Sequence, residues 1–152
     1  MNDVLNRAKF ETGYTEKNDN ETKYGAWYGV NKQPWCAIFV SWCYDKAGLV
    51  DKVAAQSKKG FASCDAGLKW FAKKGKIVPV GEAKEGDIVF FQFDTDAQPD
   101  HVGIVEKNMK RLKALKTIEG NTSPNNKGSQ SNGGGVYQKK RSYATVMAVV
   151  RP

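Results

Sequence analysis

The chain has 152 residues, of which 40% are hydrophobic, so we expect one domain with its own core. Its three cysteines cannot all pair, and it has no CxxC motif and no Cys/His cluster at zinc spacing, which argues against a disulfide framework and a structural zinc site. The net charge of +8 favours a polyanionic partner such as nucleic acid, an anionic membrane surface or an anionic wall polymer; the alternative is a solvated lysine-rich surface.

Helical spacing of apolar residues and capping signals divide the first half of the chain into three helices and one polar loop. The helices are predicted over residues 2–14, 35–47 and 62–74, and an ordered loop over residues 16–34. The second helix is expected to be buried, because apolar side chains occur nearly all round it, and Gly48 supplies its stop.

The second half predicts short strands, because apolar and β-branched runs alternate there with turn residues. Five strands of an antiparallel sheet are predicted over residues 88–93, 101–107, 115–121, 135–140 and 145–151. A flexible Gly/Asn/Ser-rich loop is predicted over residues 121–135. Helices followed by strands are typical of an α+β fold in which the two kinds of element pack as layers.

Cys36 follows Pro34 and Trp35 at the start of the predicted buried helix. Proline commonly lies at or before a helix start, and the unpaired N–H groups and macrodipole of a first turn stabilise a thiolate. Cys36 is therefore a candidate nucleophile. Cys43 lies two turns deeper among apolar residues and is interpreted as an inert core thiol. Cys64 has no comparable helix-start signal and is interpreted in the same way.

The chain contains a single histidine, so Cys/His chemistry requires His101 as the base. Gly103 lies on the same face of the predicted strand and leaves room for a substrate or for the facing helix. An imidazole base needs an acceptor at its other nitrogen, and Glu119 and Asn121 are two residues apart on the next predicted strand, hence on one side of it. The alternatives are a surface histidine and an exposed strand-end carboxylate.

Five segments, in order along almost the whole chain, resemble a known family. They are "PWCAIFVSWCYDKAG", "EGDIVFFQF", "DHVGIVEK", "TIEGNTS" and "GGGVYQKKR". Together they resemble the CHAP family, the cysteine, histidine-dependent amidohydrolases/peptidases that cleave bacterial peptidoglycan. The upstream segment "NETKYGAWYGVNKQPWC" is similar to bacteriophage endolysin members.

The resemblance implies a papain-like α+β fold, with N-terminal helices packed on a C-terminal antiparallel sheet. It assigns Cys36 as the nucleophile, His101 as the base, Glu119 as the residue that orients the histidine and Asn121 as a further polar member. It implies a peptidoglycan hydrolase that works through a thioester, either an N-acetylmuramoyl-L-alanine amidase or an endopeptidase.

Three further expectations concern the surroundings of the cysteine. Gln33 is expected to join the backbone N–H of Cys36 in holding the oxyanion. A substrate groove is expected at Tyr24, Trp27 and Trp35. No cofactor is required, although some relatives bind calcium ahead of the cysteine; the matching pair here would be Asp19 and Glu21, in a pattern that departs from theirs because Lys23 intrudes.

The expected partners are bacterial peptidoglycan and anionic wall polymers, with no nucleic acid and no stable membrane insertion, and a monomer is expected. The first residues lack a signal-peptide core, and no apolar run approaches the ~18 residues that span a bilayer. We therefore expect a protein made in the host cytoplasm that acts on the wall after release. Residues 1–152 are expected to form a single catalytic domain with no separate wall-binding domain.

Two rival functions remain open at this point. One is a non-catalytic module that holds wall polymer, which would be favoured if Cys36, His101 or Glu119 were replaced; all three are present. The other is a Cys/His acyl transferase that passes the acyl group to an amine in place of water.

Overall fold

Helices occupy the first half of the molecule and an antiparallel sheet the second, which confirms the predicted α+β class. The computed structural model describes residues 2–152. Within them the helices are α1 (Asp3–Phe10), α2 (Lys23–Tyr28), α3 (Cys36–Lys46) and α4 (Cys64–Lys73). The strands are β1 (Ile77–Val78), β2 (Ile88–Phe91), β3 (His101–Met109), β4 (Ala114–Thr122), β5 (Gly135–Ser142) and β6 (Val146–Val150). They form one sheet in the order β1-β6-β2-β3-β4-β5, and each neighbouring pair is antiparallel.

Two elements of this fold were not predicted. Helix α2 lies in the segment expected to be a loop, where the Thr22 hydroxyl accepts a hydrogen bond from the Gly25 N–H at 3.0 Å and Gly29 ends the helix with a φ of 97°. Strand β1 pairs with β6 at the edge of the sheet. Both are too short for a hydrophobic period to identify them. None of the helices in residues 2–152 has the length and apolar character needed to cross a membrane.

Helix α3 is the centre of the molecule, as its all-round apolar sequence predicted. It packs against β3 and β4 of the sheet and against α1 and α2, and α1 also contacts β3 and β4. The main core lies between these helices and the sheet, and a smaller core covers the opposite face of the sheet. This smaller core consists of Ala83, Val89, Phe91, Val105, Leu115 and Val149.

The contact between α3 and β4 depends on Gly120. A Cβ atom at this position would lie 2.7 Å from Cβ of Phe39 and 2.9 Å from Cζ3 of Trp35. The backbone of β4 therefore approaches the first turns of α3 more closely than any side chain would allow. This approach brings the start of the helix next to the strand residues on either side of Gly120.

We expect Gly120→Ala to lower the free energy of unfolding by about 1–3 kcal/mol, because the added methyl group overpacks the contact between β4 and α3. Urea denaturation followed by circular dichroism measures the effect. The matched control is Gly81→Ala, where an added Cβ has no heavy atom within 4 Å. Equal stability of the two variants would show that α3 has room to move away from β4.

Candidate active site

Cys36 is the first residue of α3, in the first turn where its sequence placed it. Trp35 occupies the N-cap position and makes no side-chain capping hydrogen bond. The first-turn N–H groups of a helix have no partner within the helix, so positive partial charge faces the thiol. Cys36 is 5% exposed, which leaves its sulfur at the edge of the core.

Asn121 holds the start of this helix. Its side-chain oxygen accepts a hydrogen bond from the Trp35 N–H at 2.9 Å, and its amide nitrogen donates to the Gly133 carbonyl at 2.8 Å and to the side-chain oxygens of Asn20 and Asn132. The backbone of Asn121 has a φ of 60°. Strand alternation is therefore interrupted, and Asn121 points to the helix start while Glu119 points to the histidine. The expectation that the two side chains lie on the same side of the strand was wrong for this reason.

His101 and Glu119 meet in the protein interior, and neither is exposed to solvent. Nε2 of His101 lies 2.9 Å from Oε1 of Glu119. The alternatives of a surface histidine and an exposed strand-end carboxylate are therefore wrong. Gly103 makes this contact sterically possible, since a Cβ there would lie 2.6 Å from Cγ of Glu119. The space predicted to hold a substrate or a helix holds the Glu119 side chain.

Arg141, on β5, is a member of the site that the sequence analysis missed. Its Nε donates to Oε2 of Glu119 at 2.9 Å and its Nη2 to Oε1 at 2.5 Å, and the Thr117 hydroxyl donates to Oε2 as well. The guanidinium lies 4.8 Å from the ring centroid of Phe93. The available signal was the alternation in "KKR", which puts Arg141 on the buried face of its strand and Lys140 outside.

The charges of these side chains alternate along the site. A hydrogen bond from the Cys64 thiol and the nearby His101 lower the pKa of Cys36 well below its usual value, although burial opposes this. Burial lowers the pKa of His101, but the Cys36 thiolate and the Glu119 carboxylate outweigh it and raise that pKa to about 9. Burial raises the pKa of Glu119, but hydrogen bonds from Arg141 and His101 bring it to about 2.

This arrangement supports a thiolate–imidazolium pair at neutral pH. With Nε2 of His101 on Glu119, Nδ1 is the nitrogen left to interact with the cysteine; it is buried and has no hydrogen-bond partner among residues 2–152. A thiolate at a helix N-terminus beside an imidazolium is the machinery of nucleophilic acyl transfer.

The other two cysteines differ from each other. Cys43 is fully buried, and burial raises the pKa of its thiol, as expected for a core residue. Cys64 is the first residue of α4, and the Ser63 hydroxyl caps this helix by accepting a hydrogen bond from the Ala66 N–H at 3.1 Å. Ser63 is the helix-start signal that the sequence analysis overlooked. Cys64 is half-buried and is not a simple core residue.

Two of the three aromatic residues expected in the substrate groove lie in the core. Tyr24 and Trp35 are fully buried and stack on each other, with ring centroids 5.5 Å apart. They pack in the core beside the start of α3 and are not available to a substrate. The expectation that they line the substrate groove was therefore wrong for both. Trp27 is half-buried, and Gln33 is exposed in the loop that precedes α3.

The acidic pair proposed for calcium is not part of a group of three converging carboxylate, histidine or cysteine side chains within residues 2–152. Asp19 is exposed, and Glu21 forms no three-residue acidic group. Within residues 2–152, the carboxylates that converge are Asp94, Asp96 and Asp100, whose oxygens lie within 4.8 Å of one another. These carboxylates already accept hydrogen bonds from backbone N–H groups of their own loop. Calcium binding at Asp19 and Glu21 stays a prediction.

We expect iodoacetamide to label Cys36 far faster than Cys43 or Cys64 at pH 6, because only Cys36 has a lowered pKa. His101→Ala should move the pH midpoint of labelling upward, since it removes the cation that favours the thiolate. Glu119→Gln should move it upward by less, because an amide accepts a hydrogen bond but carries no charge. Peptide mass spectrometry measures each rate. If labelling of Cys36 begins only near pH 8–9 and its pH midpoint is unchanged by His101→Ala, the two residues do not interact.

Comparison with known families agrees with this geometry. The family model of the CHAP domain matches residues 27–121, which include the cysteine, the histidine, Glu119 and Asn121 but not Arg141. No curated protein matches the chain. The match covers more than half of the 152 residues, and a cysteine–histidine function of the peptidoglycan hydrolase or amidase type goes with it. The chain therefore belongs to the CHAP family.

Proposed function

We propose that this protein cleaves an amide bond of bacterial peptidoglycan through a thioester on Cys36, as an N-acetylmuramoyl-L-alanine amidase or as an endopeptidase. The observation that carries the proposal is the line of alternating charges that runs from the Cys36 thiolate through His101 and Glu119 to Arg141. It begins at a helix N-terminus, where a thiolate is stabilised. Family membership supports the choice of peptidoglycan as the substrate.

In the acylation step, the Cys36 thiolate attacks the amide carbonyl carbon and the carbonyl electrons move to the oxygen. The backbone N–H of Cys36, in the first turn of α3, is proposed to stabilise this oxyanion, and Gln33, in the exposed loop before α3, is the side chain proposed to join it. When the tetrahedral intermediate collapses, the C–N bond breaks and the leaving amine takes the proton from Nδ1 of His101.

In the deacylation step, neutral His101 removes a proton from water as the water oxygen attacks the thioester carbonyl. The C–S bond then breaks, so the carboxylic acid leaves and the thiolate–imidazolium pair is restored. Glu119 keeps the imidazole in one orientation through both steps, because its carboxylate is itself held by two hydrogen bonds from Arg141.

Fragments released from purified sacculi identify the bond that is cut. New N-terminal L-alanine, together with glycan strands whose N-acetylmuramic acid has lost its peptide stem, indicates an amidase, whereas a new terminus within the stem or the cross-bridge indicates an endopeptidase. A competing amine in the same reaction tests the acyl-transferase alternative. Amine adducts in the fragments would show transfer in place of hydrolysis.

We also propose that the protein is a phage lysin, made in the host cytoplasm and active on the wall after release. The similarity of residues 20–36 to endolysins supports this origin. Purified lysin is expected to clear susceptible cells from outside. Release of wall fragments without loss of turbidity would instead indicate an enzyme that remodels a cell's own wall.

We expect Cys36→Ala to abolish release of fragments from sacculi while the protein stays folded, because no other thiol begins α3. The control is Cys43→Ala. The Cys43 thiol is buried and its pKa is raised, so it takes no part in the chemistry; the variant should lose about 1 kcal/mol of stability and retain hydrolysis. Thermal denaturation and fragment release measure the two effects. A folded Cys36→Ala protein that digests walls at the parent rate would refute the mechanism.

A row of lysines supports the proposal that the enzyme also binds anionic wall polymers. Lys107 on β3 pairs directly with Lys116 on β4, which pairs directly with Lys140 on β5. Their side chains therefore project from one face of the sheet, and we call these three residues the lysine row. Like charges directly opposite each other in a sheet destabilise it, and none of the three lysines forms an ion pair within residues 2–152.

The row is extended by the turn between β3 and β4, which contributes Lys110, Arg111 and Lys113, all exposed. Lys107 is six residues along β3 from His101, a separation of about 20 Å at the usual rise per residue. A phosphate-rich polymer bound at this end of the sheet leaves the catalytic end free for the peptide.

We expect Lys→Gln at all three positions of the lysine row to weaken binding to intact walls several-fold and to flatten its dependence on salt, because fewer counterions are exchanged. The matched control carries Lys→Gln at Lys17, Lys58 and Lys73. These lysines are exposed, so the control removes the same number of charges from other parts of the surface. A co-sedimentation assay over a range of salt measures binding. The difference between the two variants should vanish on walls stripped of their anionic polymers. Equal losses on intact walls would mean that only net charge matters.

A further inference from the structure

A second thiol lies beside the proposed nucleophile. The Sγ atoms of Cys36 and Cys64 are 3.7 Å apart, and neither cysteine is in a disulfide. Cys64 is half-buried and Cys36 is 5% exposed, so a small solute reaches the pair more readily than it reaches the fully buried Cys43. The proposed hydrolysis uses only Cys36, so the position of Cys64 is unexplained by it.

The two cysteines are held in place by rigid structure. Each begins a helix, Cys36 in α3 and Cys64 in α4. The Ser41 hydroxyl of α3 accepts a hydrogen bond from the Phe61 N–H at 3.0 Å, which ties the segment before α4 to α3. Gly67 of α4 lets the helix close on Phe61, because a Cβ there would lie 2.4 Å from Cδ2 of the ring. The start of α4 is therefore fixed against the start of α3.

The two sulfurs differ in protonation, which suits them to different steps of an oxidation. The pKa of Cys36 is lowered by the hydrogen bond from Cys64 and by His101, so it presents a thiolate. The same hydrogen bond, together with burial, raises the pKa of Cys64, so it presents a thiol. Hydroperoxides attack thiolates, and a neighbouring thiol resolves the product.

We propose that Cys64 is a resolving cysteine, which converts a peroxide-oxidised Cys36 into a reversible Cys36–Cys64 disulfide. The Cys36 thiolate attacks one oxygen of hydrogen peroxide; the O–O bond breaks, an S–O bond forms to give the sulfenic acid, and the released hydroxide takes a proton and leaves as water. The Cys64 sulfur then attacks the sulfenic sulfur. The S–S bond forms, the S–O bond breaks, and the hydroxyl leaves as water with the Cys64 proton. Overall, two thiols and one hydrogen peroxide give one disulfide and two water molecules.

The movement required is small. The sulfurs must approach from 3.7 Å to the usual disulfide bond length of about 2 Å. The disulfide removes the nucleophile, so the oxidised protein is inactive. It also prevents further oxidation of Cys36 to a sulfinic acid, which ordinary thiol reductants do not reverse. A dithiol reductant restores both cysteines by exchange.

The test is treatment of the full chain with a small excess of hydrogen peroxide, followed by intact mass and peptide mapping. The parent protein is expected to lose two hydrogen atoms, to yield a linked Cys36–Cys64 peptide pair, and to recover its iodoacetamide-reactive Cys36 after dithiothreitol. Cys64→Ser should instead gain two oxygen atoms at Cys36 and recover little labelling. The matched control Cys43→Ala should behave as the parent does.

Two results would overturn the proposal. One is a parent protein that gains oxygen at Cys36 as fast as Cys64→Ser and with the same poor recovery. The other is a loss of two hydrogen atoms that maps to a pair other than Cys36 and Cys64. These readouts use no wall substrate, so failure of the proposed hydrolase function would leave them unchanged.

Discussion

The buried carboxylate of Glu119, shared between two cations, is the interaction on which the site depends. Taking charges out of water costs several kcal/mol per ion, and only good geometry with further hydrogen bonds offsets this. Here the carboxylate receives a bidentate hydrogen bond from Arg141 and contacts Nε2 of His101, and the Thr117 hydroxyl adds a further donor. These residues come from β3, β4 and β5, so the pairing of the three strands and the integrity of the site are inseparable.

Three consecutive residues of β4 connect this charge arrangement to the nucleophile. Glu119 holds the histidine, Gly120 allows α3 to approach the strand, and Asn121 binds the backbone N–H of Trp35. The left-handed backbone of Asn121 turns its side chain away from the histidine and towards the helix start. A single short segment thus sets both the orientation of the base and the position of Cys36.

Local signals predicted part of this arrangement. Pro34 and the all-round apolar pattern marked the start and burial of α3, because proline restricts the backbone locally and a helix apolar on every side needs surrounding structure. Helix α2 and strand β1 escaped prediction, since elements this short have no period to detect. Tyr24 and Trp35 were misplaced in a groove because an aromatic side chain suits either a binding surface or a core, and only its neighbours decide between them.

The sequence by itself determined which groups are available for chemistry: one histidine, a cysteine at a helix start, and a carboxylate in a strand, in an order that resembles one family. Tertiary structure alone decided which of them meet. The bidentate contact of Arg141 with Glu119 spans 22 residues of chain, and the sulfur of Cys64 reaches that of Cys36 across 28. Such contacts follow from strand register and helix packing, which depend on the summed burial of many residues, and no local pattern encodes them.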